Sequence, residues 1–246
     1  MWGAGNYAAV AEKIGETGEI CVARAGVEPG MEVLDVACGT GNASIPAARV
    51  GARVIGLDFS PDLLAIARER AADALVEVDW VEADAQSMPF GDSAFDRVIS
   101  TFGHMFAPDQ RRTAAEMKRV CRGSIAICCW TPNGTIGRMV ATVSELVPPP
   151  PGSSSPLLWG TEEHVRELLG DGEFERREVE WRDSSVESYS RFMLESFGPL
   201  LNAQEVLGER AGELHEAYTR FLNAENLETD GTLRFRGEYL LAVVRV

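Results

Sequence analysis

Residues 33–42 read Val-Leu-Asp-Val-Ala-Cys-Gly-Thr-Gly-Asn, an apolar run that ends in a carboxylate and breaks into glycines. A strand buried on both faces needs a continuous apolar run, and glycines let the following backbone turn tightly and approach a ligand. A second run, Val54-Ile55-Gly56-Leu57-Asp58, ends in another acid. In nucleotide-binding parallel sheets an acid at the tip of the second strand accepts hydrogen bonds from ribose hydroxyls. The two segments together describe a pocket for an adenosine-like ligand at the carboxyl edge of a parallel sheet.

The rest of the chain extends that sheet. Strands are expected at 33–37, 54–57, 80–83, 97–100 and 124–130, and helices at 44–49, 61–72 and 110–121. This alternation predicts an α/β fold, doubly wound, with right-handed crossovers. Ser60-Pro61 is a helix start, with a capping hydroxyl followed by proline at the first helical position. Beyond residue 133 the pattern changes. A helix over 135–147 runs into Pro148-Pro149-Pro150-Pro151, which cannot continue it. Thr161 caps a short helix to Leu169, residues 174–181 alternate as a half-buried strand does, and 186–226 read as helical. The last strand is expected near 237–246.

Composition narrows the partners. The 246 residues are 45% hydrophobic and carry a formal charge of −15, which repels a phosphate backbone. The basic residues Arg111, Arg112, Lys118, Arg119 and Arg122 interleave with apolar ones as the solvated face of a packed helix does, so no nucleic-acid partner is expected. No window reaches the run of about 18 apolar residues that a spanning helix needs, so no membrane role is expected. Met1–Val10 lacks the basic start and apolar stretch of a signal peptide, and the five cysteines form no Cys-x-x-Cys pair. A cytoplasmic location is the expectation.

In order and spacing these motifs resemble the class I S-adenosylmethionine-dependent methyltransferases, in particular the small-molecule branch similar to ubiquinone and menaquinone C-methyltransferases. That resemblance implies a mostly parallel seven-stranded sheet, six strands parallel and the last antiparallel, with S-adenosylmethionine as cofactor. It implies one domain over 1–246: a lid helix over about 1–21, a cofactor core over about 28–132, and cap insertions over about 133–172 and 184–232. The family's first motif is matched by Asp35, Gly39 and Gly41, with Asn42 beside them as a further cofactor-binding candidate, while Ala37 replaces the first glycine, which a negative φ would tolerate. Asp58 matches the ribose-binding acid, and Phe59 would pack on the adenine. Asp84 matches the acid that accepts from the adenine amino group, with Ala85 offering its backbone amide and Gln86 beside it. Thr101 ends the fourth strand, which faces both cofactor and substrate.

A nicotinamide cofactor fits less well. The dinucleotide fingerprint needs a third glycine where this chain has Ser44, and it leaves Asp84 without a task. No carboxylate cluster for a hard divalent cation accompanies Asp96 and Thr101, so no metal is expected. The reading is methyl transfer to an oxygen, nitrogen or carbon of a small metabolite by metal-independent in-line displacement. Two alternatives stay open: a nicotinamide oxidoreductase, and a non-catalytic protein that binds S-adenosylmethionine. His164 and His215 lie in solvated helical stretches, whereas His104 follows the fourth strand and is the candidate general base or acceptor-binding group. Phe102, Phe106, Trp130, Trp159, Phe192 and Phe197 suit an apolar acceptor pocket, and Trp2 and Tyr7 are candidate lid contacts.

Overall fold

The computed structural model describes residues 5–150 and 152–246. Trp2 and Pro151 lie outside the described residues. Two helices, α1 (Tyr7–Glu12) and α2 (Glu16–Ala25), precede the first strand where one lid helix was expected. There follow β1 (Glu32–Val36), α3 (Ser44–Val50), β2 (Arg53–Asp58), α4 (Pro61–Asp73), β3 (Asp79–Glu82), β4 (Phe95–Thr101), α5 (Gln110–Val120) and β5 (Cys121–Trp130). The second half supplies α6 (Thr135–Leu146), α7 (Glu162–Leu168), β6 (Gly172–Asp183), α8 (Val186–Ser196), α9 (Gly198–Leu207), α10 (Ala211–Glu225) and β7 (Leu233–Arg245).

Among the described residues the strands form one sheet in the order β3-β2-β1-β4-β5-β7-β6. β1 pairs parallel with both β2 and β4, and β5 joins β4 in parallel. Only β7 runs against its neighbours, antiparallel to β5 and to β6. The expected sheet of six parallel strands and an antiparallel last one is thus observed. Strand order reverses at β1, and the crevice beyond the carboxyl ends of β1 and β4 is where open α/β sheets bind ligands.

Local chemistry explains most element bounds. Ser60 caps α4 by accepting from the Leu63 amide, and Asp109 caps α5 by accepting from the Arg112 amide. Helix α3 stops at Gly51, whose φ of 97° is left-handed. The long helical stretch over 186–226 divides because Pro199 in Phe197-Gly198-Pro199 starts a new helix and Gly208 ends it. Strands β6 and β7 are longer than expected, since their ladder runs from Gly172↔Val244 to Asp183↔Leu233, along the cap. Among the described residues no helix is long and apolar enough to cross a membrane.

Candidate active site

The loop after β1 sets the floor of a cavity of about 380 Å³ at the carboxyl edge of the sheet. Gly39 and Gly41 have φ of 55° and 85°, the left-handed region that glycine enters without cost. A Cβ on Gly39 would meet only the Tyr7 ring, at 3.9 Å, so conformation and not space demands glycine there. Ala37 also lies at φ 53°, which corrects the expectation of a negative φ and stores about 1 kcal/mol. Its methyl is accommodated by Gly103: a Cβ on Gly103 would stand 2.7 Å from the Ala37 Cβ and 2.3 Å from its carbonyl oxygen. The glycine missing from the β1 loop has a counterpart after β4.

Asp58, at the tip of β2, accepts from the Gly39 amide at 2.8 Å and from the Ser60 amide at 2.9 Å. Burial raises its carboxyl above the usual range, against the pull of the Ser60, Gly39 and Phe59 amides. Each carboxylate oxygen has a further lone pair for a ligand. Phe59 beside it is 61% exposed, an aromatic face presented at the cavity rim. Asp84 accepts from the Gln86 backbone amide at 2.8 Å and from its side-chain amide at 3.0 Å, which fixes both at the opposite wall next to Ala85. Tyr7 closes the cavity from α1. Burial and then the charge of Asp58 push its hydroxyl up to about 12, so it is neutral at physiological pH.

Other expected cofactor residues lie behind the wall. Asp35 is buried under the loop and accepts from Ser44 Oγ at 2.6 Å, while its Oδ1 finds no partner among the described residues. Burial pushes its carboxyl up to about 7, the Ser44 hydrogen bonds opposing this. Gly41 backs onto Trp80, whose ring would be 2.9 Å from a Cβ there. Asn42 braces the scaffold: it donates to the Ala11 carbonyl at 2.8 Å and accepts from Arg70 at 2.9 Å. Thr101 does not border the cavity. Its carbonyl instead accepts from the Gly103 amide at 2.8 Å, closing a three-residue turn around Phe102. Arg70 went unnoticed in the sequence although it also donates to the Thr40 carbonyl and hydroxyl, at 2.7 and 2.8 Å. Nothing in the pattern of α4 distinguishes it from its charged neighbours Arg68 and Glu69.

His104 does not fit the part of a general base. Ser100 Oγ donates to the Val36 carbonyl at 2.6 Å, so it can only accept from His104 Nδ1, 2.9 Å away. Nδ1 therefore carries the proton, and Nε2, 3.3 Å from Cys129 Sγ, accepts from the thiol. Burial pushes the imidazolium pKa down to about 3, and the ring packs edge-on against Trp159 with no accessible surface. The residue borders the cavity yet turns both nitrogens inward, tying β1, β4 and β5 together. His164, expected at the surface, is half-buried and bonded to Gln110 at 2.7 Å.

Phe102 has a φ of 62°, an outlier for a bulky residue, and is held by stacking on Trp130 with centroids 3.9 Å apart. It separates the first cavity from a second of about 210 Å³ beneath α6, α8, α9 and α10. Tyr7, Phe102 and Phe106 line both. The aromatic set singled out in the sequence therefore divides. Trp130 and Phe197 also line the second cavity, whereas Trp159 packs on His104 and Phe192 lies against the core beneath Lys13. Met139, Met193 and Tyr218, also in the second lining, carried no sequence signal beyond apolar helix positions.

Residues 33–124 match the family profile described as a methyltransferase domain. The uncharacterised protein Rv1405c of Mycobacterium tuberculosis is 40% identical over 252 residues, covering 98% of this chain and 91% of its own length. Over 97 residues, 39% of each chain, the demethylmenaquinone methyltransferase of Renibacterium salmoninarum is also 40% identical. A solved structure of a putative methyltransferase from Bacillus halodurans has the same fold, with a TM-score of 0.62 at 20% identity over 93% of this chain and 97% of that one.

Proposed function

Because this chain belongs to the S-adenosylmethionine-dependent methyltransferases, we propose that it methylates a small organic acceptor, without a metal, by in-line displacement across its two adjoining cavities. The observation that carries this reading is the shared wall: the cavity beside Asp58 and the apolar one under the cap meet at Tyr7, Phe102 and Phe106.

The cavity beside Asp58 suits the donor. Its volume falls in the range of small-molecule sites, about 300–1,000 Å³. Asp58 keeps lone pairs for the two ribose hydroxyls, the exposed Phe59 ring offers a face for adenine, and Asp84 can accept from the adenine amino group. Ala85 and Gln86 flank the same ring, while Ala37 and Gly39 line the floor beneath the methionine portion. Bound there, the donor supplies an electrophilic methyl group on a sulfonium sulfur.

The protein's own contribution is alignment and exclusion of water. Holding acceptor and donor in line can supply about 7–11 kcal/mol of the barrier. His104 acts in this reading as a positioning residue that fixes the Phe102–Phe106 turn, since its nitrogens are engaged within the protein. Among the described residues no group of three or more His, Cys, Asp or Glu is arranged to hold an ion. An open second cavity favours turnover over mere cofactor binding, which would leave that space filled by side chains. The charge of −15 favours a small acceptor over nucleic acid, and five free, buried cysteines suit the reducing cytoplasm.

Calorimetric titration with S-adenosylhomocysteine, with NADH as control, tests the reading. Micromolar binding of the first alone is expected. Binding of NADH instead, or of neither, contradicts it.

A further inference from the structure

Resting on the methyl-transfer reading of this same site, the chemistry of the second cavity narrows the acceptor. We propose that it takes a neutral molecule whose hydrocarbon body fills the apolar lobe and whose carbonyl or ether oxygen is received by the indole N–H of Trp181.

Among the described residues that line the lobe none is charged. An anion or cation entering it would lose its hydration and meet no counter-charge, at a cost of several kcal/mol. The nearby Lys13 is ion-paired with Asp183 at 3.8 Å and lies over the Tyr189 ring, so its charge is already answered outside the lobe. An apolar body is therefore required. One polar group in the lining nevertheless wants a partner. Trp181 Nε1 is buried and finds no hydrogen bond among the described residues, whereas the Tyr218 hydroxyl has the Tyr189 hydroxyl beside it. A buried donor left unmet costs about 1–3 kcal/mol, which a ligand that meets it returns as affinity.

Trp181 cannot turn away to find another partner. Its ring is stacked parallel to Phe235, with centroids 5.7 Å apart, and meets Tyr189 edge-on at 6.0 Å. In front of its Nε1 the chain has placed Gly237. This glycine is outside the left-handed region, so its backbone does not demand the residue type. Space does: a Cβ would stand 3.2 Å from Trp181 Nε1, 3.2 Å from the Trp130 ring and 3.0 Å from Ile136 Cγ1. All three of those groups line the lobe. A side chain at 237 would press against the one donor that is fixed and unmet. An indole N–H can only donate, so the ligand must present an acceptor there, and an uncharged oxygen is the group compatible with the surrounding lining.

The test uses three probes of one skeleton: tetralin, 1-tetralone and 1,2,3,4-tetrahydro-1-naphthoate. Binding to the full chain is followed by ligand-observed NMR, and S-adenosylhomocysteine is titrated separately. The ketone is expected to bind about tenfold tighter than tetralin, the carboxylate not measurably at millimolar concentration. Trp181→Phe is expected to erase the preference for the ketone while leaving tetralin affinity within about twofold. Equal affinity for tetralin and tetralone, tight binding of the carboxylate, or a preference that survives Trp181→Phe overturns the proposal. Should that variant not fold, the wild-type indole ¹H–¹⁵N spectrum decides. One indole resonance moves downfield with tetralone and not with tetralin if the proposal holds, and none does if it fails. Failure of S-adenosylhomocysteine to bind would overturn the donor reading instead, whatever the probes show.

Discussion

The carboxyl edge of β1–β3 and the cap over β5–β7 each enclose a cavity, and they do so with different materials. The first sets two carboxylates bound to backbone amides into its wall: Asp58 grips the Gly39 and Ser60 amides, and Asp84 grips Gln86. Apart from Tyr7 and the turn from Phe102 to Pro108, its lining runs from Ala37 to Gln86, at and after the ends of β1, β2 and β3, within about fifty positions. The second is built from side chains of segments far apart in sequence, Tyr7 and Val10 from α1, Met139 and Val143 from α6, Met193 from α8 and Tyr218 from α10. In the proposed reading, charge and hydrogen bonds orient a ligand in the first, and shape with the unmet Trp181 donor selects one in the second. A methyl donor is the same for a whole family, while acceptors differ, and the two constructions suit those two demands.

Four substitutions can break or sharpen this division. The largest effect is expected at Asp58. Asp58→Ala removes the carboxylate that organises the glycine turn and would receive the ribose, and should weaken S-adenosylhomocysteine about a thousandfold by calorimetry. Affinity of the second cavity for an apolar probe should hold, and its parallel collapse would show that the cavities are not separable.

Next is Asp35, under the same loop. Its carboxyl is raised in the fold to about 7 from an ordinary 3.8, so between these values the folded state holds more protons than the unfolded one. The resulting stability is complete below about pH 4 and lost as pH rises towards 7, by about 4 kcal/mol at most. Asp35→Asn should flatten that decline in urea titrations between pH 4.5 and 8, leaving the variant more stable than wild type at the alkaline end. A decline of equal slope in both proteins would mean that the buried carboxylate is not its source.

His104→Ala removes the ring that joins Ser100 to Cys129, and should cost about 3 kcal/mol of stability. The folded variant should keep the wild-type dependence of methyl transfer on pH between 5.5 and 7.5. Loss of an ionisation near 6.5 would restore His104 as a base. Smallest is Val143→Phe, which thickens the lobe wall: kcat/KM for an acceptor should fall about tenfold with S-adenosylhomocysteine affinity unchanged. An unchanged kcat/KM would move the acceptor elsewhere.

The sequence exposed the first half of the molecule far better than the second, for a physical reason. Strand, turn and acid recur at the ends of β1, β2 and β3, so local order alone brings Gly39, Asp58 and Asp84 together. Where a role depends on what lies across the sheet, residue type misled. His104 has the residue type and position of a base, but Ser100 at the end of β4 and Cys129 on β5 hold both its nitrogens. Ala37 takes a left-handed φ where a negative one was expected, and Gly103 makes room for its methyl. Asn42 sits inside the glycine motif yet faces α1 and Arg70. Nothing in one dimension tells that Trp181 on β6 is clamped by Phe235 or that Gly237 puts no side chain against its N–H. Apolar helices announce burial and leave their partners unnamed.

The most direct measurement is a crystal structure with S-adenosylhomocysteine bound. The account predicts adenine against Phe59 and beside Asp84, ribose hydroxyls on Asp58, and the sulfur turned towards the junction of Tyr7, Phe102 and Phe106, facing the apolar lobe. A ligand seated at Asp58 with its sulfur directed away from that junction, or seated elsewhere altogether, would contradict it.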